Sequence, residues 1–192
     1  MFEVFYEKII KASKHKNALY VFLILAFLES FISPIPPDIM MATMIAANRS
    51  LLRHLGWMAG IVSSIGGAIG YSIGYYCFAL FGEKILSFYH INDSFAAFSE
   101  TFGRYGFLII SLKGISPIPF KFIAITAGIA QYDFKLFFIA TCIARFSKFY
   151  LVTILIWYMG EHFHFYLKKY FSLFVFLSIV AILLGFGLLR LI

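Results

Sequence analysis

Charged residues are scarce in this sequence, and their scarcity excludes a soluble globular domain. Only 13% of the 192 residues are charged, whereas 62% are hydrophobic and 20% are aromatic. A typical soluble domain is nearer half apolar and a quarter charged. The formal charge is +7, but the cations are thinly spread between apolar runs, which favours contact with anionic lipid headgroups over binding of nucleic acid. The composition therefore predicts an integral membrane protein.

Cysteine and histidine are also few, and neither forms a recognisable reactive site. Cys77 and Cys142 lie in apolar surroundings without a CxxC pair, so packing is their expected role. The five histidines fall in predicted loops or helix ends. The sequence has no nucleophile–His–acid set and no acidic metal cluster. We therefore expect neither an enzyme nor a protein with a cofactor or a resident metal.

Proline occurs only five times, and every proline lies in or beside one of two copies of the same motif. The motif Ile-Ser-Pro-Ile-Pro occupies residues 32–36 and recurs 83 positions later at residues 115–119. Because proline lacks a backbone donor and clashes with the preceding turn, each copy is predicted to break a helix. The residues at these helix breaks are Pro34, Pro36, Pro37, Pro117 and Pro119.

The segment around the first break is too short on either side of it to span a bilayer. As helices, residues 18–31 and 39–47 would extend about 21 Å and about 14 Å, against a hydrocarbon core of about 30 Å. Basic residues flank both ends of the segment, which places both ends in the cytoplasm by the positive-inside tendency. We predict a re-entrant helical hairpin over residues 17–48. One long kinked span over residues 18–48 is the alternative.

We predict that residues 1–192 form one all-α membrane domain. It is built as an inverted repeat and contains three full transmembrane helices. A second re-entrant hairpin enters from the opposite side, because an odd number of crossings separates the two copies. Two runs of glycines at intervals of four residues, Gly56 and Gly60 and then Gly66, Gly70 and Gly74, indicate close helix packing or a passage for an acyl chain. The predicted elements are an N-terminal interfacial helix at 1–16, spans at 55–82, 134–160 and 170–190, an external amphipathic loop at 83–104 and the second hairpin at 105–131.

Six charged residues fall within the predicted hairpins and spans, where charges usually face a partner or a water-filled cavity. The backbone amides after Pro119, together with Lys121, would form an anion site at a helix N-terminus. Arg145 would add a bidentate clamp for a phosphate, while lysines act as point charges. We predict that a lipid phosphate is bound by Lys113, Lys121, Arg145 and Lys148.

The two acids beside the first break, Glu29 and Asp38, have no obvious local cation. They could pair with Lys113 and Lys121 of the second break, either as a lock between the hairpins or as a gate that opens to admit an anion. Alternatively, one acid takes up a proton during transport, because desolvation favours the neutral acid. Both acids are therefore candidates for proton coupling or gating.

Three motifs together form a fairly specific pattern. They are Glu29 with the Pro-x-Pro-Pro-Asp run at 34–38, the run Gly-Ala-Ile-Gly-Tyr-Ser-Ile-Gly-Tyr-Tyr at 67–76, and Lys-Gly-Ile-Ser-Pro-Ile-Pro-Phe-Lys at 113–121. On these motifs the chain, from about residue 25 to residue 160, resembles the DedA family. That family is also called the VTT or SNARE-associated Golgi domain family, and the likeness is to its short bacterial YqaA-like branch.

The resemblance implies two opposed re-entrant hairpins and the movement of phospholipids or polyprenyl phosphate carriers between leaflets. It also implies that Glu29 and Asp38 form the acidic pair and that Lys113 and Lys121 form the basic pair. With the charged breaks, it favours a flippase-like or scramblase-like translocase for a phosphate-headed lipid such as undecaprenyl phosphate or a glycerophospholipid.

The expected location is the bacterial cytoplasmic membrane, with several passes and a cytoplasmic N-terminus. The expected partners are membrane lipids and protons, without nucleic acid. Two alternatives stay open: a proton-coupled carrier of small ions, and a membrane assembly or homeostasis factor without transport activity.

Overall fold

The computed structural model describes residues 15, 17–32, 37–113 and 119–159, and every regular element in these ranges is helical. This confirms the predicted all-α class for the described part of the chain. The interfacial helix at 1–16 and the span at 170–190 are predictions that fall outside it, apart from residue 15. Pro34, Pro36 and Pro117 fall outside it as well. The helices are α1 (Ala18–Glu29), α2 (Asp38–Ala47), α3 (Leu52–Tyr89), α4 (Asn92–Lys113), α5 (Phe120–Ile129) and α6 (Phe134–Met159), with a 3-10 turn at Arg49–Leu51.

The described prolines stand directly before helices. Pro37 precedes the first residue of α2, and Pro119 precedes the first residue of α5. Proline is tolerated there because the first turn of a helix offers no intrahelical acceptor for the missing donor. On the other side of the first break, the N–H of Ile32 donates to the carbonyl of Leu28 at 2.9 Å and closes the last turn after α1.

The same order of helices occurs twice along the chain. A helix, a break, a short helix and a long helix are followed by the same four elements. The two short helices, α2 and α5, both contain 10 residues. They begin at Asp38 and Phe120, and the long helices after them begin at Leu52 and Phe134, so that both pairs are offset by 82 positions. A repeat of secondary structure therefore accompanies the repeat of sequence.

Among the described residues, two helices are long and apolar enough to cross a membrane. The first joins the 3-10 turn to α3 and contains 41 residues, and the second is α6 with 26 residues. The first helix contains the span predicted at 55–82. The second coincides, within the described residues, with the span predicted at 134–160. By contrast, α1 and α5 have 12 and 10 residues, which corresponds to about 18 Å and about 15 Å, well short of a core of about 30 Å.

Residues 83–104 are mostly helical, whereas the sequence predicts an external amphipathic loop over this stretch. Helix α3 continues to Tyr89 and ends at His90, which adopts a left-handed backbone conformation with φ of 53°. Helix α4 then begins at Asn92 and continues through the first arm of the predicted second hairpin.

Aromatic packing explains why this polar stretch stays helical. Phe95 of α4 stacks on Phe78 of α3, with ring centroids 4.6 Å apart. Phe102 packs edge-on against Tyr132, which precedes α6, at 5.6 Å. These phenylalanines therefore pack one side of a 22-residue helix against the rest of the fold.

The glycine-rich face of α3 is filled by neighbouring helices. A Cβ at Gly66 would lie 2.5 Å from the backbone carbonyl oxygen of Phe27 on α1. A Cβ at Gly74 would overlap the backbone of Ile125 on α5, and one at Gly128 of α5 would overlap the backbone of α3 in return. Of the two roles that the spacing allows, the described structure shows close packing.

Two apolar clusters form the core. One combines α1, α2 and the start of α3 with the second half of α6. The other combines the middle of α3 with α4, α5 and the first half of α6. Along α6, Ala144 is the last residue of the second cluster and Phe149 is the first of the other cluster. Arg145 therefore lies at the boundary between the two clusters.

Candidate functional site

Four charged side chains meet beside the first break, and we refer to them as the charged cluster. Glu29 is the last residue of α1 and Asp38 is the first residue of α2, so the two acids flank the break. Arg145 and Lys148 lie three positions apart on α6, a spacing that puts both on one face of that helix. The cluster therefore joins a break in the first repeat to the middle of a helix in the second that is long enough to span a membrane.

Three ion pairs connect the cluster. Oε2 of Glu29 accepts a hydrogen bond from Nη1 of Arg145 at 3.1 Å, and its Oε1 accepts one from Nζ of Lys148 at 3.4 Å. The same Nζ lies 3.5 Å from Oδ2 of Asp38. Lys148 therefore bridges the two acids and holds the end of α1 beside the start of α2.

Burial is deepest at the arginine. The side chain of Arg145 is 1% exposed, against 17% for Glu29, 18% for Asp38 and 20% for Lys148. Removing an ion from water is costly, and the attraction between paired ions often does no more than offset that cost. Ionisable groups at membrane depth are accordingly better evidence for a functional site than for a stabilising one.

Arg145 uses only part of its hydrogen-bonding capacity within the described structure. Its guanidinium carbon lies 4.0 Å from the ring centroid of Phe120, over the face of the ring, which is a cation–π contact. Nη1 is occupied by Glu29, whereas Nε and Nη2 are buried and find no hydrogen-bond partner among the described residues. One two-donor edge of the guanidinium is therefore left without an acceptor there.

Four buried side-chain oxygens of the described residues share this condition: the hydroxyls of Ser99 and Ser111 on α4, and two oxygens on the helices of the charged cluster. Oγ1 of Thr141 and Oδ1 of Asp38 also have no hydrogen-bond partner in the part of the chain that the structure describes. Thr141 lies four positions before Arg145, on the same face of α6. A polar face therefore runs along α6 through Thr141, Arg145 and Lys148, and its hydrogen-bonding capacity is incompletely used.

Lys121 of the second break has a different place from the one that the sequence suggests. Nζ of Lys121 donates to the backbone carbonyl of Ile32 at 3.3 Å, so it contacts the first break without meeting the acids there. The side chain of Lys113 lies outside the described structure. Pairing of the first-break acids with second-break lysines is thus replaced, among the described residues, by pairing with α6. The reason is that α6 passes beside the first break, whereas α5 packs on the glycine face of α3.

Three neutral residues near the cluster were not predicted from the sequence. The hydroxyls of Ser30 and Ser63 share a hydrogen bond of 2.7 Å, which ties the end of α1 to α3 in a fully buried position. The third is Thr141. Its spacing of four residues from Arg145 on an apolar helix is the signal that could have identified it. The serine pair has no comparable signal, because its members are 33 positions apart.

The chemistry available at the cluster is the binding and exchange of ions. Two carboxylates and two cations are joined by ion pairs, so an incoming ion can compete for either sign of charge. Among the described residues there is no group of three or more His, Cys, Asp or Glu side chains that could hold a metal ion.

Comparison with known proteins identifies one matching family and three relatives of this chain. The VTT domain matches residues 35–158. An uncharacterized protein of Haemophilus influenzae is 32% identical over 169 residues, which covers 88% of each chain. Another from Histophilus somni is 32% identical over 163 residues, with 85% of each chain covered. A third, from Methanocaldococcus jannaschii, is 25% identical over 164 residues, which covers 85% of this chain and 98% of the relative. No solved structure gives a significant match.

Proposed function

The chain belongs to the VTT domain family, also called the DedA family, and we propose on that premise that it is a membrane lipid translocase. The family is generally linked to membrane transport or homeostasis. The proposed substrate is a phosphate-headed lipid, such as undecaprenyl phosphate or a glycerophospholipid, whose tails stay in the bilayer while its headgroup crosses. The two broken segments would be re-entrant hairpins of opposite orientation in the bacterial cytoplasmic membrane, with the N-terminus in the cytoplasm.

The observation that best supports this proposal is the state of Arg145. The side chain is 1% exposed, is paired with Glu29, and still has two buried donor atoms without partners among the described residues. Unsatisfied buried donors are costly, and an anionic acceptor that completes their hydrogen bonds removes that cost. The phosphate of a lipid headgroup is such an acceptor.

The proposed roles follow from the signs of the charges. Lys113, Lys121, Arg145 and Lys148 would attract and hold the phosphate. Glu29 and Asp38 would act as the gate, because they already pair with two of these cations, Arg145 and Lys148, before the phosphate arrives. Protonation of either acid would weaken its hold on Lys148 and would couple release of the lysine to proton uptake.

Leaflet exchange in proteoliposomes tests the proposal. Purified protein should speed the exchange of a labelled lipid phosphate over the rate in empty vesicles, and equal rates would argue strongly against it. Lys121→Gln and Asp38→Asn should both slow the exchange. Lys135→Gln is the matched control, because Lys135 is an exposed cation at the start of α6 and lies outside the cluster. Normal rates in both test variants would assign the binding site elsewhere.

A proton-coupled carrier of small ions is the second candidate, and one observation favours it. Oδ1 of Asp38 is buried without a partner among the described residues, which is a suitable place for a transported proton. A pH gradient that drives a soluble ion across the vesicle membrane, with no exchange of labelled lipid, would select this function over the first.

A further inference from the structure

The unused edge of Arg145 points to a specific way of holding an anion. We infer that an oxyanion binds side-on to Nε and Nη2 of Arg145 and accepts a third hydrogen bond from the hydroxyl of Thr141, while Glu29 stays on Nη1. The ligand chemistry is a phosphate or carboxylate head that presents two oxygens. That this head belongs to a lipid rests on the function proposed above, whereas the subsite itself rests on the contacts described next.

The geometry of the guanidinium determines which donors are available. The N–H groups of Nε and Nη2 lie side by side and point the same way, which matches the spacing of two oxygens on one phosphate or carboxylate. Nη1 is already bonded to Glu29 at 3.1 Å. Phe120 covers a face of the guanidinium, with its ring centroid 4.0 Å from the central carbon. The two atoms without partners among the described residues are therefore the pair that forms a side-on fork.

Thr141 differs from several other hydroxyls in these helices. Thr43, Ser64, Ser72 and Thr153 each donate to the backbone carbonyl four residues earlier, which satisfies a hydroxyl in apolar surroundings. Thr141 is 0% exposed, yet its Oγ1 makes no such bond. Because a buried hydroxyl without a partner is unfavourable, its free donor favours a ligand oxygen.

Thr141 and Arg145 both lie close to Phe120, the first residue of α5. A Cβ added to Gly67 of α3 would lie 3.0 Å from Cγ2 of Thr141 and 3.1 Å from the ring of Phe120, so these two side chains border the same bare backbone. Phe120 also begins a helix of 10 residues. The first N–H groups of a helix lack intrahelical acceptors and attract anions. The guanidinium of Arg145, the side chain of Thr141 and the start of α5 therefore all lie near the side chain of Phe120.

The inference gives Glu29 a positioning role that differs from direct contact with the ligand. By holding Nη1, Glu29 fixes the orientation of the guanidinium and leaves the opposite edge for the oxyanion. The ligand then does not have to displace the carboxylate from Arg145, and gating by Glu29 would act through its other bond, to Lys148. Nε and Nη2 of Arg145 are inaccessible to solvent in the described state, so the state that admits a ligand must be more open around them.

Binding measurements on the full chain in detergent test the subsite independently of transport. The probe is farnesyl phosphate, titrated calorimetrically. Thr141→Val should weaken binding about tenfold, or about 1.4 kcal/mol, because it removes one hydrogen bond to a charged acceptor. Thr153→Val is the matched control, since the hydroxyl of Thr153 is already bonded to the carbonyl of Phe149. Thr141→Ser, which keeps the hydroxyl, should restore affinity to within about threefold of the wild type.

Each outcome decides the inference. Wild-type affinity in Thr141→Val, equal losses in both valine variants, or no binding of farnesyl phosphate to the wild type would overturn it. Thr141-dependent binding without leaflet exchange in proteoliposomes would support the subsite and refute the translocase. Competition by inorganic phosphate shows whether the subsite binds a free anion or the headgroup of a lipid. Competition at equal affinity identifies a free anion as the ligand, and much weaker competition identifies a lipid head at the same subsite.

Discussion

Arg145 and Glu29 form an ion pair of 3.1 Å between residues 116 positions apart in the sequence. The pair joins the end of a 12-residue helix to the middle of one that can span a membrane. Glu29 lies where α1 ends, so the residue that faces the break also neutralises the most buried cation of the cluster. Stability and ion binding therefore depend on the same contact, and the variants below are chosen to separate them.

Replacing Glu29 should be strongly destabilising. Glu29→Gln removes the acid that pairs with buried Arg145, and breaking a buried pair from one side costs about 3–5 kcal/mol. The measurement is the free energy of unfolding in detergent. The control is Glu100→Gln, which breaks a pair with Arg104 whose side chains are 65% and 69% exposed. That variant should cost no more than about 1 kcal/mol, and equally small losses in the two variants would contradict the importance of the buried pair.

Replacing Arg145 by lysine should separate charge from geometry. Arg145→Lys keeps a cation near Glu29 but removes the side-on fork, so we expect leaflet exchange to fall at least about tenfold with a smaller effect on unfolding. Lys148→Arg is the reciprocal variant. Lys148 acts as a point charge between two carboxylates, which an arginine can replace. Similar losses of exchange in both variants would show that the fork geometry of Arg145 is not the important property.

The sequence was informative where the signals are local. Proline chemistry and the lengths of apolar runs predicted helix ends beside both breaks, and the structure has α2 and α5 beginning directly after Pro37 and Pro119. The extent of the helices over residues 83–104 was harder to predict, because an amphipathic helix packed through its aromatic side chains can be as polar in composition as a loop.

The partners within the site could not be predicted in the same way. The repeat suggests that the two acids could pair with Lys113 and Lys121, but a repeat of sequence does not determine which helix passes beside which break. The structure places α6 there, so Arg145 and Lys148 are the partners of Glu29 and Asp38 among the described residues. Contacts of this kind depend on tertiary packing, which periodicity alone does not encode.

Close contact between α3 and α5 should make the repeat junction sensitive to a single methyl group. Gly128→Ala would put a Cβ against the backbone of Tyr71, and Gly74→Ala would put one against the backbone of Ile125. Backbone cannot move aside as a flexible side chain can, so each variant should lower the melting temperature markedly or prevent folding. Gly103→Ala is the control, because a Cβ there meets nothing within 4 Å. It should be neutral or stabilising by up to about 1 kcal/mol through better helix propensity. Normal stability in Gly128→Ala would show that the helices do not approach this closely in the membrane.

Membrane topology should be visible in the labelling of two positions on either side of α3. With Cys77 and Cys142 replaced by serine, we expect an impermeant maleimide to label Ser94→Cys in intact cells. Arg49→Cys should react only after permeabilisation. The helix between them, counted with its 3-10 turn, contains 41 residues and extends about 60 Å, enough to cross a core of about 30 Å once. A kinked span over residues 18–48 would instead expose position 49 to the outside. Labelling of Arg49→Cys in intact cells would therefore eliminate the first hairpin and, with it, the opposed arrangement of the two breaks on which lipid translocation is proposed.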